Sequence, residues 1–284
     1  MNNALEVRAL CKRYEGFVLD NINFELPEGY IMGLIGPNGS GKTTTIKGML
    51  GMITPDSGSI GLFGEDGRKG LDGKIGVVMD SPFFSDDWSM TDIEAAVAPF
   101  YDEWDKARFA RLLEEYGIDR KKKVKELSRG MKVKLMLAVA FSHGARLLIL
   151  DEPTSGLDPA ARDELCGMLG EFVGEEDKSV LFSTHITSDL ERIADYITFI
   201  LDGKLIFTGP KEDLLERYLI VKGGPLDIAA AQRALIIGLR EHSAGFEGMI
   251  AAENAALLSK TLLIEPVTLD DIIVYMNRGR DQYE

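Results

Sequence analysis

Hydrophobic and polar positions along the chain fall into three textures. Residues 4–35 alternate short β-rich runs with turns: 5–10, 17–26 and 30–35 are broken at Glu15-Gly16 and Pro27-Glu28-Gly29, and each run predicts a strand. The last is apolar throughout, as in a strand covered on both faces, and enters a glycine-rich turn followed by 42–50, which reads as a helix. Short β signals return at 75–79, 147–150, 180–183 and 197–201. Between about 83 and 145 the texture turns helical, with candidate helices at 90–101, 104–116 and 129–142. That stretch reads as a helical insertion in an α/β domain. A turn-rich break at Val221-Lys222-Gly223-Gly224-Pro225 sets off a tail in which 228–242 predicts an alanine-rich helix, 262–264 a strand and 269–277 a terminal helix. The expected division is residues 1–220 and 221–284.

Bulk properties narrow the function. A chain of 284 residues buries a sizeable core without covalent staples. Its two cysteines, Cys11 and Cys166, match neither a CxxC site nor a disulfide framework, which fits a reducing cytosol. Lys and Arg total 32 against 46 Asp and Glu, a net charge of -14 that repels phosphate backbones, so no nucleic-acid partner is expected. No apolar run approaches the ~18–20 residues of a membrane-spanning helix, and Met1 to Glu6 lacks the basic-then-apolar plan of a signal peptide. Any service to a membrane is expected from outside the bilayer.

The strand–turn–helix unit carries the first chemistry. Gly36-Pro37-Asn38-Gly39-Ser40-Gly41-Lys42-Thr43 satisfies GxxxxGK[ST], directly after an apolar strand and at the start of a helix. Glycines let successive backbone N–H groups turn inward on a polyphosphate, and the helix N-terminus adds partial positive charge. Lys42 reaches the outer phosphates and the Thr43 hydroxyl ligates Mg²⁺. The loop alone does not choose among kinases, GTPases and motor ATPases.

A second strand, 147–150, ends in Asp151-Glu152, at the carboxyl edge of the sheet where open α/β folds bind ligands. Two acids there can divide labour: Asp151 holds the metal shell, and Glu152 polarises the attacking water. His185 ends the run 179–185 at the same edge, as a capping residue or, beside a phosphate loop, a γ-phosphate contact.

Leu127-Ser128-Arg129-Gly130-Met131, before the Asp151-Glu152 strand, and Ser155-Gly156-Leu157-Asp158, after it, select among P-loop proteins. Together they resemble the nucleotide-binding domain of ABC transporters, in which an LSGGQ signature, the hDE strand, a D-loop and a switch histidine follow in that order. The resemblance covers nearly all of residues 4–220. It implies an α/β P-loop NTPase of the ABC ATPase type, with an N-terminal antiparallel β subdomain, a helical signature subdomain and a small C-terminal α/β appendage. It implies ATP with Mg²⁺, bound by Gly36 through Thr44, with Glu152 and His185 catalytic and Asp158 in the D-loop. It also implies a homodimer or heterodimer in which Ser128, Arg129 and Gly130 of one subunit complete the other's site. Ser128 is suited to cap the helix that follows it. Tyr14 takes the place of the family's adenine-stacking aromatic, or is a half-buried strand residue.

Three features depart from the pattern or stand outside it. Arg129 and Met131 replace a glycine and a glutamine, leaving Arg129 near the phosphates or on the surface. Asp80 stands where the family's Q-loop glutamine ends the 75–79 strand, as an outer-shell metal ligand or pointing away. The basic run Arg120-Lys121-Lys122-Lys123 with Lys125 is a solvated face or a contact to an anionic bilayer.

The resemblance implies a separate transmembrane permease as partner, and hence a cytoplasmic protein peripheral on the inner face of the cell membrane. Aromatics at Phe83, Phe84, Trp88, Phe100, Tyr101 and Trp104 serve either that docking or the helical subdomain's own core. The tail has features of ATPase subunits of the ABC-2 export group, as a dimer-supporting or regulatory appendage or an inert extension. A soluble ABC-type ATPase acting on a non-membrane partner and a non-hydrolysing ATP sensor are the rival readings. Long coiled-coil or fused units, which the first would call for, are missing, and Glu152 and His185 count against the second.

Overall fold

The computed structural model describes residues 2–66, 73–175, 177–259 and 261–279. The hairpin β1 (Asn3–Tyr14) and β2 (Phe17–Pro27) leads to β3 (Ile31–Ile35), α1 (Lys42–Met49), β4 (Ser57–Leu62) and the short β5 (Glu65–Asp66). β6 (Ile75–Val78) opens the helical block of α2 (Met90–Val97), α3 (Lys106–Glu115) and α4 (Arg129–Ser142). The chain returns through β7 (Leu147–Asp151), α5 (Pro159–Val173), β8 (Ser179–Thr184), α6 (Thr187–Ile193), β9 (Tyr196–Leu201), β10 (Lys204–Pro210) and α7 (Lys211–Glu216). The tail comprises β11 (Tyr218–Gly223), α8 (Ala230–Arg233), β12 (Ile236–His242), β13 (Gly245–Ala251), β14 (Leu263–Pro266) and α9 (Leu269–Arg278).

The main sheet runs β5-β4-β1-β2-β10-β9-β3-β8-β7-β6. Its inner strands β9, β3, β8, β7 and β6 are parallel, while β1, β2, β4 and β5 form an antiparallel wing. Successive residues of a strand face opposite sides, and cover on both sides explains why the inner strands are mostly apolar. Ile31, Ile35, Leu148, Leu150, Val180 and Phe182 face one core with α4, α5 and α6, whereas Met32, Leu34, Leu147, Ile149 and Leu181 face another with the wing and α1. The helical block has its own core around Met90, Ile93, Phe109, Leu113 and Leu135. Its expected helix 90–101 stops at Val97, where Pro99 introduces a 3₁₀ turn, because proline has no N–H for the ladder.

The lysines of the basic run are exposed, and some of its charges have acidic partners. Arg120 pairs with Glu94, and Lys123 and Lys125 pair with Asp87. The aromatics divide: Phe84 and Trp104 pack on the helical core, whereas Phe83 and Phe100 are exposed.

The tail departs from expectation. Instead of a helix over 228–242, four residues of α8 precede strand β12 in a second sheet, β12-β13-β11-β14. Pairing decides this locally ambiguous run. Ile236 and Ile237 sit opposite Ile250 and Met249 on β13. At Gly238 (φ +61) an added Cβ would meet the backbone of Tyr275 in α9, a closeness only glycine allows. The expected break at 221–225 falls at the end of β11, the strand hydrogen-bonded to both β13 and β14. The tail also shares a core with the body built on the main sheet. Val267, Leu269, Ile272 and Met276 join the cluster holding Leu190, and the Leu269 N–H donates to Glu191 Oε1 at 2.8 Å, tying α9 to α6.

His143 ends α4, buried, stacked on Tyr101 at 4.1 Å with Nδ1 2.9 Å from the Gly73 carbonyl. Burial holds its pKa below the usual value of 6.5. The neutral ring's stabilisation is complete above that value and is lost as pH falls towards the folded pKa, because the unfolded chain takes up the proton first. Between pH 7.5 and 5.5 the parent is expected to lose more stability in urea titrations than His143→Phe. Equal losses would exclude the ring as the cause.

Candidate active site

Parallel pairing assembles the site. Ile35 lies beside Thr184, and Asp151 beside Ser183, so the loop after β3, the acids ending β7 and the histidine after β8 reach one sheet edge.

Gly36, Gly39 and Gly41 take φ of +150, +81 and +113, conformations natural to glycine. An added Cβ on Gly36 would run into the Ile200 carbonyl oxygen and lie 2.6 Å from Ser40 Oγ. Gly41 is the N-cap of α1 and offers no side-chain cap, and the helix's first turn holds no acid. Its first N–H groups are left for an anion. The Ser40 N–H donates to the Pro37 carbonyl at 3.1 Å, while Ser40 Oγ is buried without a partner. These features fit a polyphosphate.

Lys42 Nζ donates to the Gly36 carbonyl at 2.8 Å and the Pro37 carbonyl at 3.3 Å, and lies 3.7 Å from Glu152 Oε1. Burial lowers its pKa, opposed by the charges of Glu152 and Asp151. Thr43 Oγ1 donates to Asp151 Oδ1 at 3.2 Å, and Ser183 Oγ donates to the same oxygen at 2.6 Å. Glu152 sits in the left-handed region at φ +51, a strained backbone of the kind found at functional sites. Its N–H lies 3.0 Å from the Ser183 carbonyl, and its Oε2 is 2.7 Å from His185 Nδ1.

Residues 38–44 with Asp151, Glu152, His185, Ser155 and Asp80 line a cleft of about 730 Å³, while Gly36, Pro37 and Ser183 are not part of its lining. Oxygen donors from Thr43 and Asp151 suit a hard cation. Among the described residues no cluster of three or more acids, histidines or cysteines could hold a metal, so Mg²⁺ would draw most of its ligands from nucleotide and water.

Other expected residues lie apart from the cleft lining. Tyr14 is 46% exposed, with the Lys12 ammonium 5.8 Å from its ring, and Phe17, its cross-strand partner, lines the cleft instead. Ser128 caps α4 by accepting from the Met131 N–H at 3.3 Å, with Gly130 in the helix's first turn. Asp158 caps α5, accepting from Ala160 and Ala161 N–H groups at 3.0 Å. Asp80, by contrast, is on the cleft lining and pairs with Arg129. Sequence reasoning did not single out Ser183, which ties Asp151 to the Glu152 backbone. Its signal was a hydroxyl in an apolar run two residues before His185.

A phosphate loop, an acid pair and a histidine on a largely parallel sheet with an antiparallel wing and a helical insertion define a P-loop ATPase of the ABC type. The family model for ABC transporters matches residues 19–155. The chain is 36% identical over 205 residues to the lantibiotic transport ATP-binding protein SrtF of Streptococcus pyogenes, covering 71% of this chain and 89% of that protein. It is 35% identical over 223 residues to the bacitracin transport ATP-binding protein BcrA of Bacillus licheniformis, covering 76% and 73%. A solved ATP-binding subunit of an ABC transporter superposes with a TM-score of 0.66 at 29% identity, over 74% of this chain and 91% of that one. The chain belongs to the ABC transporter family, as its ATPase component. No helix among the described residues is long and apolar enough to cross a membrane.

Proposed function

We infer that the chain is the ATP-hydrolysing motor of an exporter whose membrane-spanning part is a separate permease, and that it works as a dimer at the inner face of the cell membrane. The observation that carries this reading is Glu152, held between Lys42 and His185 beside the Thr43–Asp151 pair. Relatives named for lantibiotic and bacitracin transport favour a peptide or lipid-like cargo. In this reading 1–220 is the ATPase unit, and 221–284 an accessory element acting through α9 on α6, the helix after His185.

The nucleotide supplies the scissile phosphoanhydride, and Mg²⁺ would offset the charge that develops on its phosphates. The chain's own groups do the rest. Arriving phosphates take the α1 N–H groups and draw Lys42 Nζ from the Gly36 and Pro37 carbonyls. Asp151, steadied by Ser183, would hold the metal shell. Glu152 Oε1, released by Lys42, accepts the proton of the attacking water while His185 fixes Oε2. Ser128 and Gly130, outside this chain's own cleft, complete the partner's site.

Mixing tests this arrangement. Lys42→Ala and Ser128→Ala are each expected to release little phosphate alone. Ser128→Ala also costs α4 about 1 kcal/mol through its lost cap. Mixed one to one, half the dimers pair one intact phosphate loop with one intact signature, restoring up to about a quarter of parental turnover. If mixing restores nothing although both variants enter dimers, the signature does not act across subunits.

A further inference from the structure

Asp80 and Arg129, two residues that depart from the family pattern, meet although they are 49 positions apart. An Arg129 guanidinium nitrogen, Nη2, pairs with Asp80 Oδ1. Asp80 lies two residues past β6 and lines the nucleotide cleft. Arg129 is the first residue of α4, next to the Ser128 cap. Its stem also crosses the D-loop, since a Cβ on Gly156 (φ +71) would lie 3.2 Å from Arg129 Cδ and 3.3 Å from Nε. One side chain thus touches the Q-loop, the signature and the D-loop.

Magnitudes argue that the pair serves more than stability. The side chains are 40% and 59% exposed, and such surface pairs contribute about 0–1 kcal/mol. A cation in the first turn of a helix opposes the macrodipole, so Arg129 gains nothing from α4 itself. Asp80, for its part, adds negative charge to a cleft that already holds Asp151 and Glu152 and must admit a polyphosphate. Each residue is awkward alone, and together they are neutral.

We propose that Arg129 and Asp80 are a positioning pair that fixes the signature end of α4 against the Q-loop and D-loop, so that presentation of Ser128 to the partner's nucleotide depends on their contact. The proposal rests on the ATPase-dimer reading above. It makes Asp80 a partner of Arg129 rather than of the metal.

A double-mutant cycle on phosphate release by the full chain tests it. Arg129→Ala and Asp80→Ala are each expected to lower kcat about fivefold, and the double variant no further than the worse single. The KM for ATP of Arg129→Ala should stay within twofold, because its guanidinium is engaged by Asp80 and acts on nucleotide only through Ser128, and Arg129→Lys should recover part of the loss. Melting temperatures within about 2 °C of the parent show that the variants fold. A multiplicative loss of about 25-fold in the double variant, a rise in turnover, or an effect confined to KM overturns the pair. Glu152→Gln serves as reference: if it stays active the ATPase reading itself falls, whereas an inactive Glu152→Gln with a multiplicative cycle removes the positioning pair alone.

Discussion

Glu152→Gln is expected to lower ATP turnover at least about 100-fold while leaving nucleotide binding intact, the usual scale for removing a general base. The amide fills the same space and can hydrogen-bond His185 and stay near Lys42, so the cleft keeps its shape. It cannot take a proton from water. Loss in kcat with little change in ATP affinity is therefore the signature, and the uncleaved nucleotide should hold two subunits together. Phosphate release and ATP-dependent dimerisation on a sizing column measure the two halves. Turnover within fivefold of the parent would take the catalytic role from Glu152. The strained backbone at this residue, φ +51, sharpens the expectation, because the fold holds the carboxylate where a relaxed strand end would not.

The second large effect is structural and falls on the phosphate loop. Gly36→Ala would place a methyl against the Ile200 carbonyl, in a conformation L-residues rarely adopt. Overpacking and backbone strain each cost about 1–3 kcal/mol, so a loss of about 3 kcal/mol or more is expected. That corresponds to a fall of roughly 6–12 °C in melting temperature. ATP binding should weaken as well, because the loop can escape only by moving away from β9. Gly39→Ala separates the causes. Gly39 also has positive φ (+81) but nothing within 4 Å of an added Cβ, so strain alone remains, on the order of 1 kcal/mol. Equal melting temperatures for the two variants would show that the close approach to Ile200 is not the constraint.

The core of the site was legible because each part is a local device. An apolar strand, glycines that free backbone N–H groups and a helix start make a phosphate cradle within fewer than about ten residues. Asp151, Glu152 and His185 could be placed on one edge because strands with both faces buried belong in a parallel sheet. Which aromatic of the first hairpin borders the cleft was not legible to that accuracy. Tyr14 and Phe17 sit opposite each other in one hairpin, and the direction of the hairpin's end, not its composition, puts Phe17 on the cleft wall. The tail misled for a similar reason: 228–242 has an alanine-rich, helix-forming start, yet Ile236 and Ile237 pair with β13 under α9.

By itself, then, the sequence determined the glycine-rich loop at a helix start, the acids ending one strand, the histidine ending another and the Ser128 cap, since each depends on short-range geometry and on side-chain chemistry. Only the tertiary structure decided that Ser183 holds Asp151, that α9 is tied to the helix after His185, and that Asp80 meets Arg129. Those contacts join segments tens of residues apart, and their energies are small beside the burial that folds the chain. No local pattern records them until the sheet has set which segments become neighbours.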